Sequence, residues 1–474
     1  MGPNRLIPQR ASKWFAPARA FVWVALLLGI PLAAVTAPFQ APDEPQHFLR
    51  AYQISEGGLL PIHIGPRGGA VLPVSLVDVP DRFQHLRFHT ERKTSGRDIR
   101  AAMGVPLEPA NRAFIPFVTA IYSPVGYVPQ AIAIGIGRRF DLPPLALMYL
   151  ARWANLLAWV AMGYVALRIT PVCARPLFLL LLMPMSLFQA ASMSADATTN
   201  GLAVLFAAAV MRIALSREER TVGALAWAGL TLISAALTLT KFAYLPISAL
   251  ALLIPAERFA GRSRRTIALA LFFAANLAVI LLWAPQTGGL DAVLREDGDA
   301  NARAQVAYLR SHPTAAIRIA TGEILADSWR MVRSCVGSRL GSKDVKLWGG
   351  FIDVYLVAML LACWSPDEEL SPPATGKLLL LILIPVAISI AGIALLNYLY
   401  WTPVGAGHID GMQGRYLIPL APGVLLLLWG LTRRLPKPPW NGVAPRKLDA
   451  IATSIALAGA LYAVFAVYFR YYAG

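Results

Sequence analysis

Long apolar stretches recur along the whole chain, and they restrict its fold more than any other feature. Most have roughly 17 to 25 residues, the length at which an α-helix crosses a bilayer core of about 30 Å. We therefore predict an all-α, polytopic transmembrane helix bundle of about 11 or 12 helices. The candidate segments lie near residues 19–36, 117–137, 144–168, 176–193, 196–215, 221–240, 243–257, 267–286, 348–364, 376–397, 415–432 and 449–470.

Composition agrees with a membrane domain that fills nearly the whole sequence. Hydrophobic residues make up 57% of the 474 residues and charged residues only 15%, whereas an ordinary soluble domain has about 25% charged residues. The net charge of +17 lies mostly in short connections between apolar runs, so it indicates topology and no nucleic-acid partner. Cys173, Cys335 and Cys363 have no spacing that indicates a disulfide framework or a zinc site.

Basic residues in the short connections predict the orientation, because Lys and Arg concentrate on the cytoplasmic side. Residues 1–18 are then cytoplasmic, and one transmembrane domain over 19–474 has its long loops, 37–116 and 287–347, outside. The first apolar run resembles a secretory signal, but it exceeds the usual signal core of about 7 to 15 residues, so we favour a retained helix. The basic connections contain Arg5, Arg10, Lys13 and Arg19; Arg168 and Arg175; Arg212, Arg217 and Arg220; Arg258, Arg262, Arg264 and Arg265; and the run Arg433 to Lys447.

The segment 117–137 does not fit this orientation as a crossing helix. Pro124 and Pro129 interrupt it, and Arg138 with Arg139 would form a basic cluster on the wrong side. We favour a segment that lies in the outer interface, which leaves eleven crossings. The alternative keeps twelve helices and breaks the charge rule in the connections that follow.

Two adjacent acids, Asp43 and Glu44, follow the first helix. Pro45 suits the first turn of a helix that either acid could cap. A helix over residues 45–56 would be short and amphipathic, of the kind that lies on a membrane surface. It would separate Phe48, Tyr52 and Ser55 on one side from Gln46, Arg50 and Gln53 on the other.

The same acids are also candidates for chemistry. A carboxylate at the bilayer surface could act as general base toward an acceptor hydroxyl, so Asp43 and Glu44 are the candidate catalytic residues. Together they could instead hold a divalent cation such as Mg or Mn through oxygen. The titratable neighbours His47, Arg50 and Tyr52 are candidate substrate-binding residues.

Four ionisable residues interrupt the apolar runs: Arg152, Asp196, Lys241 and Arg415. A charge at membrane depth costs at least about 2.5 to 3.5 kcal/mol and faces the bundle interior. The predicted topology brings all four to the outer face, the side of Asp43. Three are cations, which suits a lipid-linked phosphate. Individually, the cations could reach the headgroups and Asp196 could cap its helix.

Aromatic and polar side chains mix in the predicted external turn at residues 398–416. Gln413 and Tyr416 belong to it and are candidate substrate-binding residues. This composition is typical of membrane aromatic belts and also of carbohydrate-binding surfaces. His63, His85 and His89 of the first loop lack a metal-ligand spacing and are expected at the surface.

Four motifs resemble the bacterial membrane family called domain of unknown function 2142. They are residues 41–57, beginning Ala-Pro-Asp-Glu-Pro-Gln-His, then Ser-Met-Ser-Ala-Asp-Ala at 192–197, Lys-Phe-Ala-Tyr-Leu-Pro at 241–246 and Gln-Gly-Arg-Tyr-Leu-Ile-Pro-Leu at 413–420. The resemblance extends roughly from residue 20 to 430. The third motif departs from the frequent Lys-Pro-Pro-Tyr of the family.

That family is similar in layout to the GT-C superfamily of membrane glycosyltransferases, which use polyprenyl-phosphate sugars at the outer face. The resemblance implies that an acid in the first external loop, Asp43 or Glu44, acts on the acceptor, and that Asp196 is a second acid near the cavity. It also implies a multi-pass protein of the bacterial inner membrane. Arg152, Lys241 and Arg415 are our own candidates for contacting the phosphate.

The resulting hypothesis is a glycosyltransferase with three kinds of partner: a polyprenyl-phosphate sugar donor, a cell-envelope glycan or lipid-linked acceptor, and membrane lipids. A transporter or flippase of lipid-linked glycans is the first alternative, and it would need charges through the full depth of the membrane. A non-catalytic component of an envelope-assembly complex is the second.

Overall fold

The computed structural model of the protein describes residues 15–65, 67–216, 221–287, 300–364, 370 and 372–473. The α-helices are α1 Phe15–Val35, α2 Glu44–Ser55, α3 Ser75–Asp81, α4 Gly96–Met103, α5 Val128–Arg138, α6 Pro144–Ile169, α7 Ala174–Leu182, α8 Pro184–Ala190, α9 Ala195–Leu215, α10 Ala224–Thr240, α11 Arg262–Trp283, α12 Ala302–Ser311, α13 Pro313–Ala326, α14 Ser328–Val336, α15 Gly349–Cys363, α16 Thr375–Tyr400, α17 Ala421–Thr432 and α18 Pro445–Tyr471. Short 3₁₀ helices cover Gln84–Leu86, Val118–Ile121, Pro124–Tyr127, Phe242–Leu253, Ala256–Phe259, Ala284–Thr287 and Gly414–Leu420. The strands are β1 Ile62–Ile64, β2 Arg67–Pro73, β3 Arg112–Pro116, β4 Arg339–Leu340 and β5 Val345–Lys346.

Helices long and apolar enough to cross a membrane dominate the structure, and they confirm the predicted all-α polytopic fold. Within the described residues there are seven: Pro17–Val35, Pro144–Ile169, Ala195–Leu215, Arg262–Thr287, Thr375–Tyr400, Gly414–Thr432 and Pro445–Tyr471. Three shorter apolar helices match three more predicted segments: Ala224–Thr240, Phe242–Leu253 and Gly349–Cys363. The last two predicted segments, 117–137 and 176–193, consist of short pieces.

The 117–137 segment starts and ends beside the same helix. At its start the Val118 amide donates to Oε1 of Gln46 (3.1 Å) in α2, and at its end Arg138 pairs with Glu56 (3.0 Å), the residue after α2. Helix α5 has 11 residues and is about 16 Å long at 1.5 Å per residue, much less than a bilayer core. The geometry agrees with the prediction that this segment does not cross.

The first long loop is an ordered cap. Its strands form an antiparallel sheet in the order β1-β2-β3, with Ala70 opposite Ile115. Gly69 allows the close approach of β2 and β3, because a Cβ atom there would lie 2.2 Å from the Ile115 carbonyl oxygen. Three of the five described strands therefore lie in the first loop and join its distant segments.

Helix α2 is confirmed as a helix, but its surroundings correct the prediction of an amphipathic helix on the membrane surface. Phe48 and Tyr52 on the apolar side are buried, and so are Arg50 and Gln53 on the polar side. The polar side chains are accommodated because their donors reach backbone carbonyls, as when Gln53 donates to Leu60 (2.7 Å). The helix is an internal element of the first loop.

The second long loop meets the first loop at the end of the last helix. Arg470 of α18 pairs with Asp344 of the β4–β5 hairpin (2.7 Å), and both side chains are 5% exposed. The same guanidinium donates to the carbonyls of Leu86 and His89 in the first loop. We call the end of the bundle where these loops meet the loop end.

Basic connections lie at the opposite end. Arg175 at the start of α7 pairs with Asp449 near the start of α18 (2.7 Å), and Arg258 donates to the carbonyl of Ser216. Which end faces the cytoplasm stays a prediction. Arg5, Arg10, Lys13, Arg217 and Arg220, which support that prediction, lie outside the described residues.

Candidate active site

Four of the predicted site residues meet in one ionic cluster at the loop end: Asp43, Asp196, Lys241 and Arg415. Each lies where an element begins or ends. Asp43 precedes α2, and Asp196 is in the first turn of α9. Lys241 follows α10, and Arg415 is the second residue of the 3₁₀ helix Gly414–Leu420, which leads into α17. Their charges therefore reach one another without lying in the middle of an apolar helix.

Arg415 links the two acids of this cluster. Its Nη2 lies 3.4 Å from Oδ2 of Asp43, and its Nη1 lies 3.2 Å from Oδ2 of Asp196. Lys241 pairs with Oδ1 of Asp196, and Gln189 donates to Oδ2 (2.8 Å). Asp196 is thus saturated with donors, and it holds both cations in place. Asp43 has the weaker contact, near the limit of hydrogen-bond distance.

Asp43 is the accessible acid, and it does not cap α2. Its backbone is left-handed (φ 58°), its side chain makes no capping hydrogen bond, and its side chain is 46% exposed. Asp adopts this conformation more readily than most residues, and non-Gly residues in it cluster at functional sites. Burial acts to raise the pKa of Asp43, but the nearby positive charges, of which Arg415 is the strongest, and the hydrogen bond from Arg415 together outweigh it, and the pKa lies below its usual value. The group is a carboxylate at neutral pH.

Glu44 points the other way and is fully enclosed. Its carboxylate pairs with Arg152 (2.6 and 2.8 Å) and accepts from the Met193 amide (2.9 Å). Arg152 also donates to the carbonyls of Ala33 and Thr36 at the end of α1, and neither charged side chain is exposed. The pair joins four parts of the chain. Neither Glu44 nor Arg152 has a face left for a substrate.

Arg50 and Tyr52 are also internal. Arg50 donates to the carbonyl of Tyr122 (2.6 Å) and to that of Leu59 (2.8 Å). The Tyr52 ring is covered by the guanidinium of Arg138, 4.9 Å from the ring centre. Both predicted substrate-binding residues therefore hold α2 against the segments around it.

His47 lies between the cluster and the interior. It is 6% exposed, and its Nδ1 forms a 2.7 Å hydrogen bond with the Tyr127 hydroxyl. Burial lowers the pKa of His47 to about 4, although the negative charges of Asp43 and Asp196 act to raise it. His47 is neutral at physiological pH and contributes no charge for a phosphate.

This pKa predicts that acid destabilises the protein. The unfolded chain takes up a proton at His47 near the ordinary histidine pKa of 6.5, whereas the folded protein does so only near 4. The free energy of unfolding should therefore fall as the pH drops from about 6.5 to 4, by up to about 3 kcal/mol. Melting temperatures in detergent between pH 7.5 and 5 should fall less for His47→Gln than for wild type.

The control for this prediction is His63→Gln, which changes an exposed histidine of the first loop. Its melting temperature should follow the wild-type pH dependence. If His47→Gln also follows the wild-type curve, proton uptake at His47 is not the cause of the acid sensitivity.

Tyr416 and Gln413 border the cluster. The Tyr416 ring lies beside both cations, with its centre 5.4 Å from Nζ of Lys241 and 5.4 Å from Cζ of Arg415. Gln413 lines a cavity of about 180 Å³ that Arg415 also lines. Both predicted residues are therefore at the site, one beside the cations and one at the cavity.

This cavity has three lining cations that the sequence interpretation missed: Arg330, Arg339 and Lys343. They come from α14, from β4 and from the turn that joins β4 to β5. The only signal was the recurrence of cations between residues 330 and 343, and charges in a polar loop do not stand out. The structure adds these residues because it folds the second loop over Arg415.

Asp43 and Glu44 do not fit a shared divalent cation. The carboxylate of Glu44 is occupied by Arg152 and a backbone amide, and Asp43 faces the guanidinium of Arg415. In the described part of the chain, no three His, Cys, Asp or Glu side chains are grouped to hold a metal ion. A cation between these acids would have to displace two arginines.

The fold and the cluster define a multi-pass membrane protein with a buried ionic site at one end of its bundle. The family described as predicted membrane protein (DUF2142) matches residues 26–424, and the chain belongs to this family. The family resemblance in the four motifs is thereby confirmed. No curated protein and no solved structure matches the chain.

Proposed function

We propose that the protein is a membrane glycosyltransferase that moves a sugar from a polyprenyl-phosphate donor to a cell-envelope glycan or a lipid-linked acceptor. One observation carries the proposal: Asp43 is a half-exposed carboxylate in a left-handed backbone conformation, in contact with the buried guanidinium of Arg415. This juxtaposition supplies a base and a phosphate partner side by side.

Each residue of the ionic cluster has a separate role in the proposed reaction. The acceptor hydroxyl oxygen attacks the anomeric carbon of the donor sugar, and its proton passes to the Asp43 carboxylate. The bond between the anomeric carbon and the phosphate oxygen breaks, and the electron pair stays on the leaving phosphate. Arg415 and Lys241 stabilise that negative charge, while Asp196 positions both cations. Glu44, Arg50, Tyr52 and Arg152 have structural roles in this proposal.

The distribution of charge favours transfer over transport. Among the described residues, the buried charged side chains are Glu44, Arg50, Arg152, Asp196, Arg415 and Arg470. Their contacts place all of them at the loop end. A transporter of lipid-linked glycans would need charges through the full depth of the membrane. The described helices offer this charge at one end only.

Reconstitution separates the two functions. The purified protein in liposomes should convert a radiolabelled polyprenyl-phosphate sugar and a lipid-linked acceptor into glycosylated acceptor and free polyprenyl phosphate. A scan of several sugars and acceptors is part of the design. Movement of the intact donor across the bilayer, without cleavage for any sugar, would overturn the transferase in favour of a flippase.

A further inference from the structure

We infer that the cavity between α8 and the second long loop binds the phosphate group of a lipid phosphate, with Arg339 and Lys343 as additional contacts. This deepens the proposed function by adding residues of the second loop to the donor site. The inference concerns binding, so it can be tested without any transfer reaction.

The cavity carries an excess of positive charge. Among the described residues, its lining includes Arg330, Arg339, Lys343 and Arg415 against one acid, Asp327. Asp327 pairs with Arg330 in the next turn of the chain, and Arg415 pairs with Asp196 and, at a longer distance, with Asp43. The charges of Arg339 and Lys343 are not balanced by an acid of this lining. Burial lowers the pKa of Lys343, and the charges of Arg415, Arg330 and Arg339 lower it further. An anion in the cavity would relieve this repulsion.

Arg415 has a donor that is free for such an anion. The side chain is 7% exposed, and its Nε atom is buried without a hydrogen-bond partner. A buried donor without a partner is energetically unfavourable. A phosphate oxygen in the adjoining cavity is suited to this donor, because guanidinium groups bind phosphate through two nitrogen donors.

Apolar side chains also line the cavity, and they favour a lipid phosphate over free phosphate because only the lipid has an apolar chain to contact them. These apolar side chains are Met185 and Phe188, which lie on a different element from the loop cations, and Met331 and Met412, which lie in the same segments as Arg330 and Arg415. Met185 and Phe188 lie on α8, which is buried within the bundle. Flexible methionine side chains adapt to irregular apolar ligands. A phosphate ester could place its charge against the loop and the start of its chain against α8.

Binding at this cavity would also affect Asp43. Arg415 lines the cavity, and its contact with Asp43 is weak because the two atoms are 3.4 Å apart. A bound phosphate therefore competes with Asp43 for the same guanidinium. Removing the Asp43 charge should therefore strengthen phosphate binding. A residue with a purely structural role would not produce this gain.

The experiment measures binding of radiolabelled farnesyl phosphate to the purified protein in phosphatidylcholine nanodiscs. Wild type should bind it saturably, should bind inorganic phosphate more weakly and should not bind farnesol. The double variant Arg339→Gln/Lys343→Gln should bind at least about 10-fold more weakly, because it loses two charged contacts to the phosphate. Asp43→Asn should bind several-fold more tightly.

The matched control is Arg310→Gln/Arg318→Gln, which removes two exposed arginines of the same loop that do not line the cavity. This control should bind farnesyl phosphate as wild type does. The single variant Lys343→Arg keeps the positive charge and should also bind with wild-type affinity.

Wild-type affinity in the Arg339→Gln/Lys343→Gln protein would overturn the site. Equal affinity for inorganic phosphate would overturn the lipid assignment. Unchanged affinity of Asp43→Asn for farnesyl phosphate would show that the phosphate and Asp43 do not compete for Arg415. Absence of transfer with these binding results intact would count against the transferase alone.

Discussion

Asp43→Asn is expected to abolish sugar transfer while the protein stays folded and at its normal level in the membrane. The side chain is 46% exposed and makes no capping hydrogen bond, so little packing depends on its charge. Loss of a general base lowers the rate by about 10² to 10⁴-fold. Transfer in liposomes should fall within this range, and the surface glycan of the host should be lost.

Asp78→Asn is the matched control for this prediction. Asp78 is an exposed acid on α3 of the same loop, and its substitution makes the same chemical change away from the ionic cluster. Transfer and protein level should both equal those of wild type. Normal transfer by a normally expressed Asp43→Asn protein would remove Asp43 from the chemistry.

The membrane-spanning part of the fold could be predicted well because hydropathy and length suffice for it. The mainly apolar helices α6 and α16 each have 26 residues and match their predicted segments closely. The broken segments could not be predicted in the same way. Hydropathy does not register the interruption at Pro184, which separates α7 from α8. It also does not register that both ends of 117–137 return to α2.

The ionic cluster could be predicted because charges in apolar runs are rare and costly. That reasoning found Asp196, Lys241 and Arg415, and the structure brings them together. It could not separate Asp43 from Glu44, because neighbouring residues leave the backbone in different directions. The distinction depends on Arg152, which is 108 residues away in sequence. Sequence spacing contains no information about that contact.

Glu44→Gln is expected to destabilise the protein strongly, in contrast to the adjacent Asp43→Asn. The change leaves the guanidinium of Arg152 buried without its counter-charge, and breaking one partner of a buried ion pair typically costs about 3 to 5 kcal/mol. The melting temperature in detergent and the amount of protein in the membrane should both fall. Any protein that remains folded should still bind farnesyl phosphate, because Glu44 does not line the cavity.

Two further variants test whether the unpaired buried charge of Arg152 causes the loss of stability. Glu44→Met/Arg152→Met removes both buried charges and should be more stable than Glu44→Gln, since replacing a whole buried pair by apolar side chains costs less than leaving one charge unpaired. The recovery should be partial, because the carbonyls of Ala33 and Thr36 lose a donor. Glu91→Gln, at a side chain that is 67% exposed, should change the free energy of unfolding by less than about 0.5 kcal/mol. A Glu44→Gln protein with wild-type stability and lost transfer would show that Glu44, not Asp43 alone, belongs to the chemistry.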